Sequence, residues 1–125
     1  MTVSCCHDLL VDRMCNACEI IEVASTREYA VKTDSGIGFI DLVVSDENTV
    51  VAIEVERSNR RIEADVAKAI ALSADSLLIV VPNPQVKRLV QKRLRELNAS
   101  KQIATFTACY PQAIKQLRYY FPVQL

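Results

Sequence analysis

Three acidic residues stand inside stretches of the sequence that otherwise consist of residues typical of buried strands. Asp41 lies in the run FIDLVV, and Glu54 and Glu56 lie in the run AIEVE. The β-branched and apolar neighbours predict strands at residues 39–44 and 50–55. Carboxylates at such positions are candidate ligands for a hard cation or candidate groups for acid–base chemistry.

The short polar segment between these two strands predicts a hairpin. If residues 46–49 form its loop, Ser45 pairs with Val50, and Asp41 then lies opposite Glu54 with Cβ atoms about 4.5–5.5 Å apart. Alternation places Glu54 and Glu56 on the same side as Asp41. The other side is apolar and contains Leu42, Val44, Val51, Ile53 and Val55.

Three carboxylates at one end of a sheet repel each other, which raises their pKa values and costs stability unless a cation or basic side chains neutralise them. Magnesium fits that need, because it binds one or two carboxylates together with waters and phosphate oxygens. In the alternative interpretation Glu54 and Glu56 lie on an edge strand and pair with Arg57, Arg60 or Arg61 as a solvated charge cluster. The spacing alone leaves both interpretations open.

The remaining hydrophobic patterns predict helices at residues 8–25, 60–73, 84–97 and 111–120, and strands at 29–33, 76–81 and 103–107. The resulting order is helix, three strands, helix, strand, helix, strand, helix. This order indicates an α/β fold with a mixed sheet flanked by helices. A length of 125 residues suits a single domain over residues 1–125.

Composition excludes some classes of function. The formal net charge is zero, so any nucleic-acid binding must come from a local basic patch. No apolar run reaches membrane length and no secretory signal is visible, so we expect a cytoplasmic protein without membrane contact. No glycine-rich turn follows a strand, which argues against nucleotide binding, and no histidine or cysteine is expected near the acids, which argues against nucleophilic catalysis.

The five cysteines are expected to be reduced thiols rather than a disulfide framework. A structural zinc site is the alternative, because the N-terminal segment contains a C-x-x-C. Its candidate ligands are Cys5, Cys6, His7, Cys15 and Cys18. His7, the only histidine, is expected to be a residue at the start of a helix.

From residue 29 to residue 81 the sequence resembles the PD-(D/E)xK nuclease superfamily. The superfamily signature is an acid at the start of the second strand, followed in the third strand by an acid, any residue and a lysine. Asp41 matches the first acid, and Glu54, Val55 and Glu56 occupy the second set of positions. The resemblance implies a restriction-endonuclease-like three-layer sandwich. It also implies that Asp41, Glu54 and the backbone carbonyl of Val55 bind Mg²⁺ or Mn²⁺.

Glu56 departs from the signature, because it occupies the lysine position. A glutamate there can act as a general base or bring a second metal ion, and loss of activity is equally compatible with it. Lys68 resembles the migrated lysine of other members, with an exposed helix lysine as the alternative. Glu22, and less so Glu19, resembles the additional helix-borne acid found in some of these nucleases.

The resemblance implies a magnesium-dependent DNA nuclease, a hydrolase of phosphodiester bonds, and small members of the superfamily work as homodimers. Basic residues suited to the DNA backbone follow the acids and recur on the helix after Pro84. They are Arg57, Arg60, Arg61, Lys87 and Arg88, together with Lys92, Arg93 and Arg95. Two alternatives stay open: a catalytically inactive nucleic-acid- or protein-binding module with the same fold, and a small regulatory domain with surface acids.

Overall fold

The computed structural model describes residues 4–122, with side chains from residue 7 onward. Helix α1 spans Ser4–Ile20 and leads into strands β1 (Ala24–Thr33), β2 (Gly36–Ser45) and β3 (Val50–Val55). Helix α2 (Ile62–Leu72), strand β4 (Ser76–Val81) and helix α3 (Pro84–Glu96) follow. A short 3₁₀ helix at Ala99–Lys101, strand β5 (Ala104–Cys109) and helix α4 (Tyr110–Tyr120) complete the fold.

The five strands form one mixed sheet in the order β1-β2-β3-β4-β5. β1 and β3 each run antiparallel to β2, whereas β4 runs parallel to β3 and to β5. Ser45 pairs with Val50, which confirms the predicted hairpin and its register. The expected α/β fold with a mixed sheet is therefore confirmed.

Each face of the sheet packs against a pair of helices. One apolar core joins the sheet to α1 and α4 and includes Leu42, Val44, Val51, Ile53 and Val55, the set predicted to share a face. The other core joins the opposite face to α2 and α3 and includes Ile40, Val43, Ala52, Leu77 and Ile79. The sheet is thus covered on both sides, as expected for a sheet with parallel central strands.

Helix α1 ends five residues earlier than the predicted boundary at residue 25. Glu22 adopts a left-handed conformation with φ of 60°, and its N–H donates to the carbonyl of Glu19 at 3.1 Å. The N–H of Val23 donates to the carbonyl of Cys18 at 3.0 Å. These two bonds form a Schellman closure, which lets β1 begin at Ala24 and extend well before the predicted start at residue 29.

The described cysteines are free thiols, as predicted. Cys18 is buried in the core, where burial raises its pKa to about 12, and Cys15 and Cys109 are half-buried. The side chains of Cys5 and Cys6 lie outside the described residues, so the zinc alternative is not tested there. Between residues 4 and 122, no helix is both long enough and apolar enough to cross a membrane.

Candidate functional site

Asp41 lies at an irregularity where the side-chain alternation of β2 changes phase. Ile40 belongs to the core on the α2 side of the sheet, yet Leu42, two residues later, belongs to the core on the α1 side. The pairing with β1 skips Asp41 and its opposite residue Glu28, which has a φ of 48°. This irregularity frees the Asp41 backbone N–H from the ladder, and it donates instead to Glu54 Oε1 at 3.1 Å.

Glu54 is 2% exposed, and its second carboxylate oxygen meets a cation. Oε2 lies 2.7 Å from Lys68 Nζ, which forms a buried ion pair. Burial raises the pKa of Glu54 to about 7 and the Asp41 charge adds to this, although Lys68 acts in the opposite direction. The Glu54 carboxyl is therefore held by two protein groups, the Asp41 backbone and Lys68.

Lys68 reaches these acids from helix α2. The helix buries Ile62, Val66 and Ala69 against the sheet, which brings Lys68 over the strand pair β2 and β3. Its Nζ also donates to the carbonyl of Phe39 at 2.8 Å. Burial alone would lower the pKa of Lys68, but the Glu54, Asp65 and Asp41 carboxylates raise it above its ordinary value. Lys68 is therefore a buried ammonium group, which excludes the alternative of an exposed helix lysine.

Gly38 leaves room for the side chain of Lys68 to pass close to strand β2. A Cβ atom at Gly38 would lie 3.0 Å from Cδ and 3.4 Å from Cγ of Lys68. The shorter distance is tighter than ordinary van der Waals contact, so a larger residue would require the lysine stem to shift by a few tenths of an ångström. The glycine thus belongs to the architecture that brings Lys68 to Glu54.

Asp65 is a buried acid in this cluster that the sequence analysis did not identify. Its Oδ1 lies 3.5 Å from Lys68 Nζ, and no hydrogen-bond donor among the described residues reaches either oxygen. Burial, a hydrogen bond with the Glu56 carboxyl and the charges of Glu54 and Glu56 raise the pKa of Asp65 to about 11. Burial and the neighbouring acids therefore favour the protonated form of Asp65, whose O–H can donate to Glu56.

Replacing Asp65 with asparagine is expected to stabilise the protein at alkaline pH. The pKa of Asp65 rises from an ordinary value of 3.8 to about 11 on folding. Its contribution to stability is therefore fully present below about pH 4 and is lost as the pH rises toward 11. Asparagine keeps an N–H donor for Glu56 but does not titrate, so the gain in stability should grow as the pH rises from about 5 to about 9.

Urea unfolding of Asp65→Asn between about pH 5 and about pH 9 checks this expectation. Asp34→Asn is the matched control, because Asp34 is exposed in the turn between β1 and β2. A variant that is less stable than the parent protein at every pH would contradict the assignment of a protonated Asp65.

Asp41 and Glu56 both line an open cleft of about 280 Å³ at the end of β3. Glu56 is nearly buried, and its backbone N–H donates to the carbonyl of Val80 at 2.9 Å. Arginines and a hydroxyl group surround these acids. The full lining consists of His7, Asp41, Val55, Glu56, Arg57, Ser58 and Arg61. The cleft can therefore present carboxylates and guanidinium groups to one ligand.

His7 lies next to Asp41, so the expectation that no histidine is close to the acids is wrong. The Nε2–H of His7 donates to Asp41 Oδ2 at 3.1 Å, and Nδ1 lies 3.4 Å from Asp8 Oδ1. The same Asp41 oxygen accepts from the Val55 N–H at 2.8 Å. Helix α1 crosses the end of β2, a contact between segments 34 residues apart that spacing did not predict.

The expected convergence of all three carboxylates on one face is only partly right. Glu54 contacts Lys68 of α2, and Glu56 contacts Asp65 of the same helix. The Asp41 side chain instead bonds His7 of α1 and the Val55 peptide. The phase change at Asp41 explains the difference, because strict alternation does not hold at that residue.

Glu22 lies away from this cluster. It is exposed and lies just before β1 begins at Ala24. Ala24 pairs with Ser45 at the far end of β2. Ser45 is four residues from Asp41, about 13 Å along a strand. The structure therefore does not bring Glu22 to the acids, because the Schellman closure ends the helix before it. Glu19, on the exposed side of α1, has no described contact with them either.

The predicted basic residues separate into different surfaces. Arg57 and Arg61 line the cleft, whereas Arg60 lines another groove together with Lys32, Asp34 and Glu63. Lys87 lines a third groove beside β5, and Arg88 is exposed on α3. The structure thus brings only two of these five arginine and lysine residues next to the acids.

The predicted metal ligands fit a cation only in part. Among the described residues, no group of three or more histidine, cysteine, aspartate or glutamate side chains is arranged to hold a metal ion. Glu54 is occupied by Lys68 and by the Asp41 N–H. Asp41 and Glu56 are the carboxylates that the cleft presents, and Mg²⁺ is commonly bound by one or two carboxylates with waters. Of the predicted ligands, Asp41 and Val55 line the cleft, so a hard cation here would be held by the Asp41 carboxylate.

The fold and this site define an α/β protein with a buried cluster of carboxylates and one lysine beside an open cleft. No protein-family model matches the sequence, and no curated protein matches it. A solved structure described as the crystal structure of a protein of unknown function, AF1548, is similar with a TM-score of 0.56 and 12% sequence identity. The similarity covers 79% of this chain and 58% of that one, so this chain spans little more than half of that protein. At this identity the likeness concerns the fold alone.

Proposed function

We propose that the protein has a restriction-endonuclease-like fold and is a magnesium-dependent nuclease that hydrolyses phosphodiester bonds in DNA. The observation that carries this proposal is the 2.7 Å ion pair between Lys68 of α2 and Glu54 of β3, next to Asp41 of β2. An acid of β3 and a lysine of the next helix pair directly, and the backbone N–H of the acid on β2 donates to the same Glu54 carboxylate. This is the set of groups that the resemblance to the PD-(D/E)xK superfamily implies.

The residues of the cleft and of the buried cluster have distinct roles in this proposal. Arg57 and Arg61 bind phosphate oxygens and hold the phosphodiester in the cleft. Glu56 accepts a proton from the attacking water, because it is a carboxylate at the cleft wall beside a protonated Asp65. Lys68 keeps Glu54 fixed beneath Asp41, so the Asp41 carboxylate retains its position at the cleft.

A Mg²⁺ or Mn²⁺ ion bound at Asp41 would supply Lewis-acid chemistry at the phosphoryl oxygen. Calorimetric titration with MgCl₂ and MnCl₂ tests this part of the proposal. Binding to the parent protein and its loss in Asp41→Asn are expected. Equal binding by both proteins would contradict a metal site at Asp41, and an absence of binding by the parent would contradict the metal dependence.

Replacing Arg61 with glutamine is expected to weaken DNA binding about tenfold in metal-free buffer, because a lost charged contact to phosphate removes about 1.5 kcal/mol. Arg60→Gln is the matched control, because the neighbouring arginine carries the same charge but lines a different groove. Fluorescence anisotropy of a labelled duplex measures both. Equal losses in the two variants would show that the cleft does not hold the phosphate.

A catalytically inactive module with the same fold is the second candidate function. It is favoured because both carboxylates already have partners within the protein. Glu54 pairs with Lys68, and Asp41 accepts hydrogen bonds from His7 and from the Val55 N–H. In that case the cleft would bind nucleic acid or a protein without cleaving a bond. The two candidates predict the same DNA affinity for Arg61→Gln but differ in cleavage.

A further inference from the structure

A second basic groove lies between helix α3 and the edge strand β5. Its volume is about 340 Å³, and none of its lining residues is acidic. It differs in this respect from the cleft, which contains Asp41 and Glu56. The polar side chains that line the groove are Lys87, Gln91, Arg95, Ser100, Thr105 and Thr107.

The two cations of the groove have no acidic partner. Among the described side chains, no carboxylate lies within ion-pair distance of Lys87 or Arg95, whereas Arg93 pairs with Glu63 and Glu96. Lys87 donates only to the amide oxygen of Gln112, at 3.0 Å. The groove therefore carries two positive charges that remain available to an anion.

Thr107 provides an independent indication of a ligand. Its side chain is 95% buried, and its Oγ1 has no hydrogen-bond partner among the described residues. A buried hydroxyl without a partner costs free energy, and a phosphate oxygen that entered the floor of the groove would accept its hydrogen bond. Thr107 lines the same groove as the two unpaired cations.

The spacing of the cations favours a repeating anion. Lys87, Gln91 and Arg95 follow each other at intervals of four residues and share one side of α3. Eight residues of helix separate Lys87 from Arg95, a rise of about 12 Å. The phosphates of one strand recur about every 3.4 Å along the axis of duplex DNA, so this distance, laid parallel to that axis, spans three to four nucleotides.

We infer that this groove is a second binding site for the phosphodiester backbone of a nucleic acid, held by Lys87, Arg95 and the hydroxyl of Thr107. The inference rests on the proposed function only for the chemical class of the ligand. It does not depend on the acids, because the groove lies on β5, two strands away from β3. The groove would extend the contact with DNA beyond the cleft without reading sequence.

The test is binding in metal-free buffer, where cleavage plays no part. The probe is a fluorescein-labelled oligonucleotide about 15 nucleotides long, single-stranded or as a duplex. The double variant Lys87→Gln/Arg95→Gln should weaken binding about tenfold or more. It should also reduce the slope of log affinity against log salt concentration by the amount that corresponds to about two phosphate contacts. Arg93→Gln, on the same helix but paired with acids, should change the affinity less than about twofold.

Thr107→Val provides a second variant that keeps the fold, because it removes a buried hydroxyl without a partner. We expect it to weaken binding about threefold, because one neutral hydrogen bond to the ligand is lost. Unchanged affinity in both groove variants, or equal losses in the groove variants and in Arg93→Gln, would overturn the inference. Tighter binding of polyglutamate than of the oligonucleotide would also overturn it, in favour of an acidic peptide. Loss of binding in the groove variants of a protein that never cleaves DNA would support the groove and reject only the nuclease proposal.

Discussion

Replacing Lys68 with methionine is expected to lower the free energy of unfolding by about 3–5 kcal/mol, the cost of leaving a buried charge without its partner. The lysine neutralises Glu54 at 2.7 Å and lies 3.5 Å from Asp65, and it is 6% exposed. Methionine fills similar volume, so the loss arises from charge rather than from a cavity. Urea unfolding with constant m-value measures it.

The pH dependence identifies the cause of this loss. Glu54 has a pKa raised by burial to about 7, and removal of Lys68 raises it further. The variant can relieve its unpaired charge by protonating Glu54, so the loss should be smaller at about pH 5 than at about pH 8. Lys68→Met/Glu54→Gln should recover much of the lost stability, because it removes both charges. Lys92→Met, at an exposed position of α3, is the control and should change stability by less than about 0.5 kcal/mol. A loss in Lys68→Met no larger than in this control would contradict a buried ion pair.

Replacing Glu56 with glutamine is expected to slow magnesium-dependent cleavage about a hundredfold to ten-thousandfold, the contribution of a general base. DNA binding should stay close to that of the parent protein, because Arg57 and Arg61 remain in the cleft. The glutamine keeps the size of the side chain and can still accept from Asp65. Single-turnover cleavage together with anisotropy separates the two effects.

Glu56→Lys distinguishes an enzyme built around a glutamate from one that has lost its lysine. The cluster already contains one cation, and a second would compete with Lys68 for Glu54 and leave Asp41 without a neighbouring carboxylate at the cleft. We therefore expect Glu56→Lys to be inactive, like Glu56→Gln. Faster cleavage by this variant than by the parent protein would show that the superfamily lysine had been lost, and would favour the inactive-module alternative for the parent chain.

The hairpin of β2 and β3 could be predicted from the sequence because local features determine it. A polar loop of four residues forces neighbouring antiparallel strands, and alternation assigns Leu42, Val44 and Ile53 to one core. The helix begins at Pro84, as predicted, and the Asn83 side chain caps it by accepting from the Val86 N–H at 2.9 Å. These features depend on residues close together in the chain.

The site depends on contacts between residues far apart in the chain, which the spacing of residues in the sequence does not reveal. The phase change at Asp41 coincides with a left-handed Glu28 on the partner strand, and a glutamate there gives no recognisable signal. His7 reaches Asp41 only because α1 crosses the sheet. Asp65 did leave a signal, since an acid three residues before Lys68 sits among the apolar residues of α2, and two charges on the inward side of a helix indicate a buried pair.

The most direct test of the central claim, that the Asp41, Glu54 and Lys68 cluster supports phosphodiester hydrolysis, is a cleavage assay on purified protein. Labelled single-stranded, duplex and branched DNA is incubated with MgCl₂ or MnCl₂, with Glu54→Gln prepared in parallel to detect contaminating nuclease. We expect the parent protein to cut at least one substrate only when the metal is present, and Glu54→Gln to cut at least about a hundredfold more slowly. Intact DNA in every reaction, or equal cleavage by both proteins, would contradict the nuclease assignment.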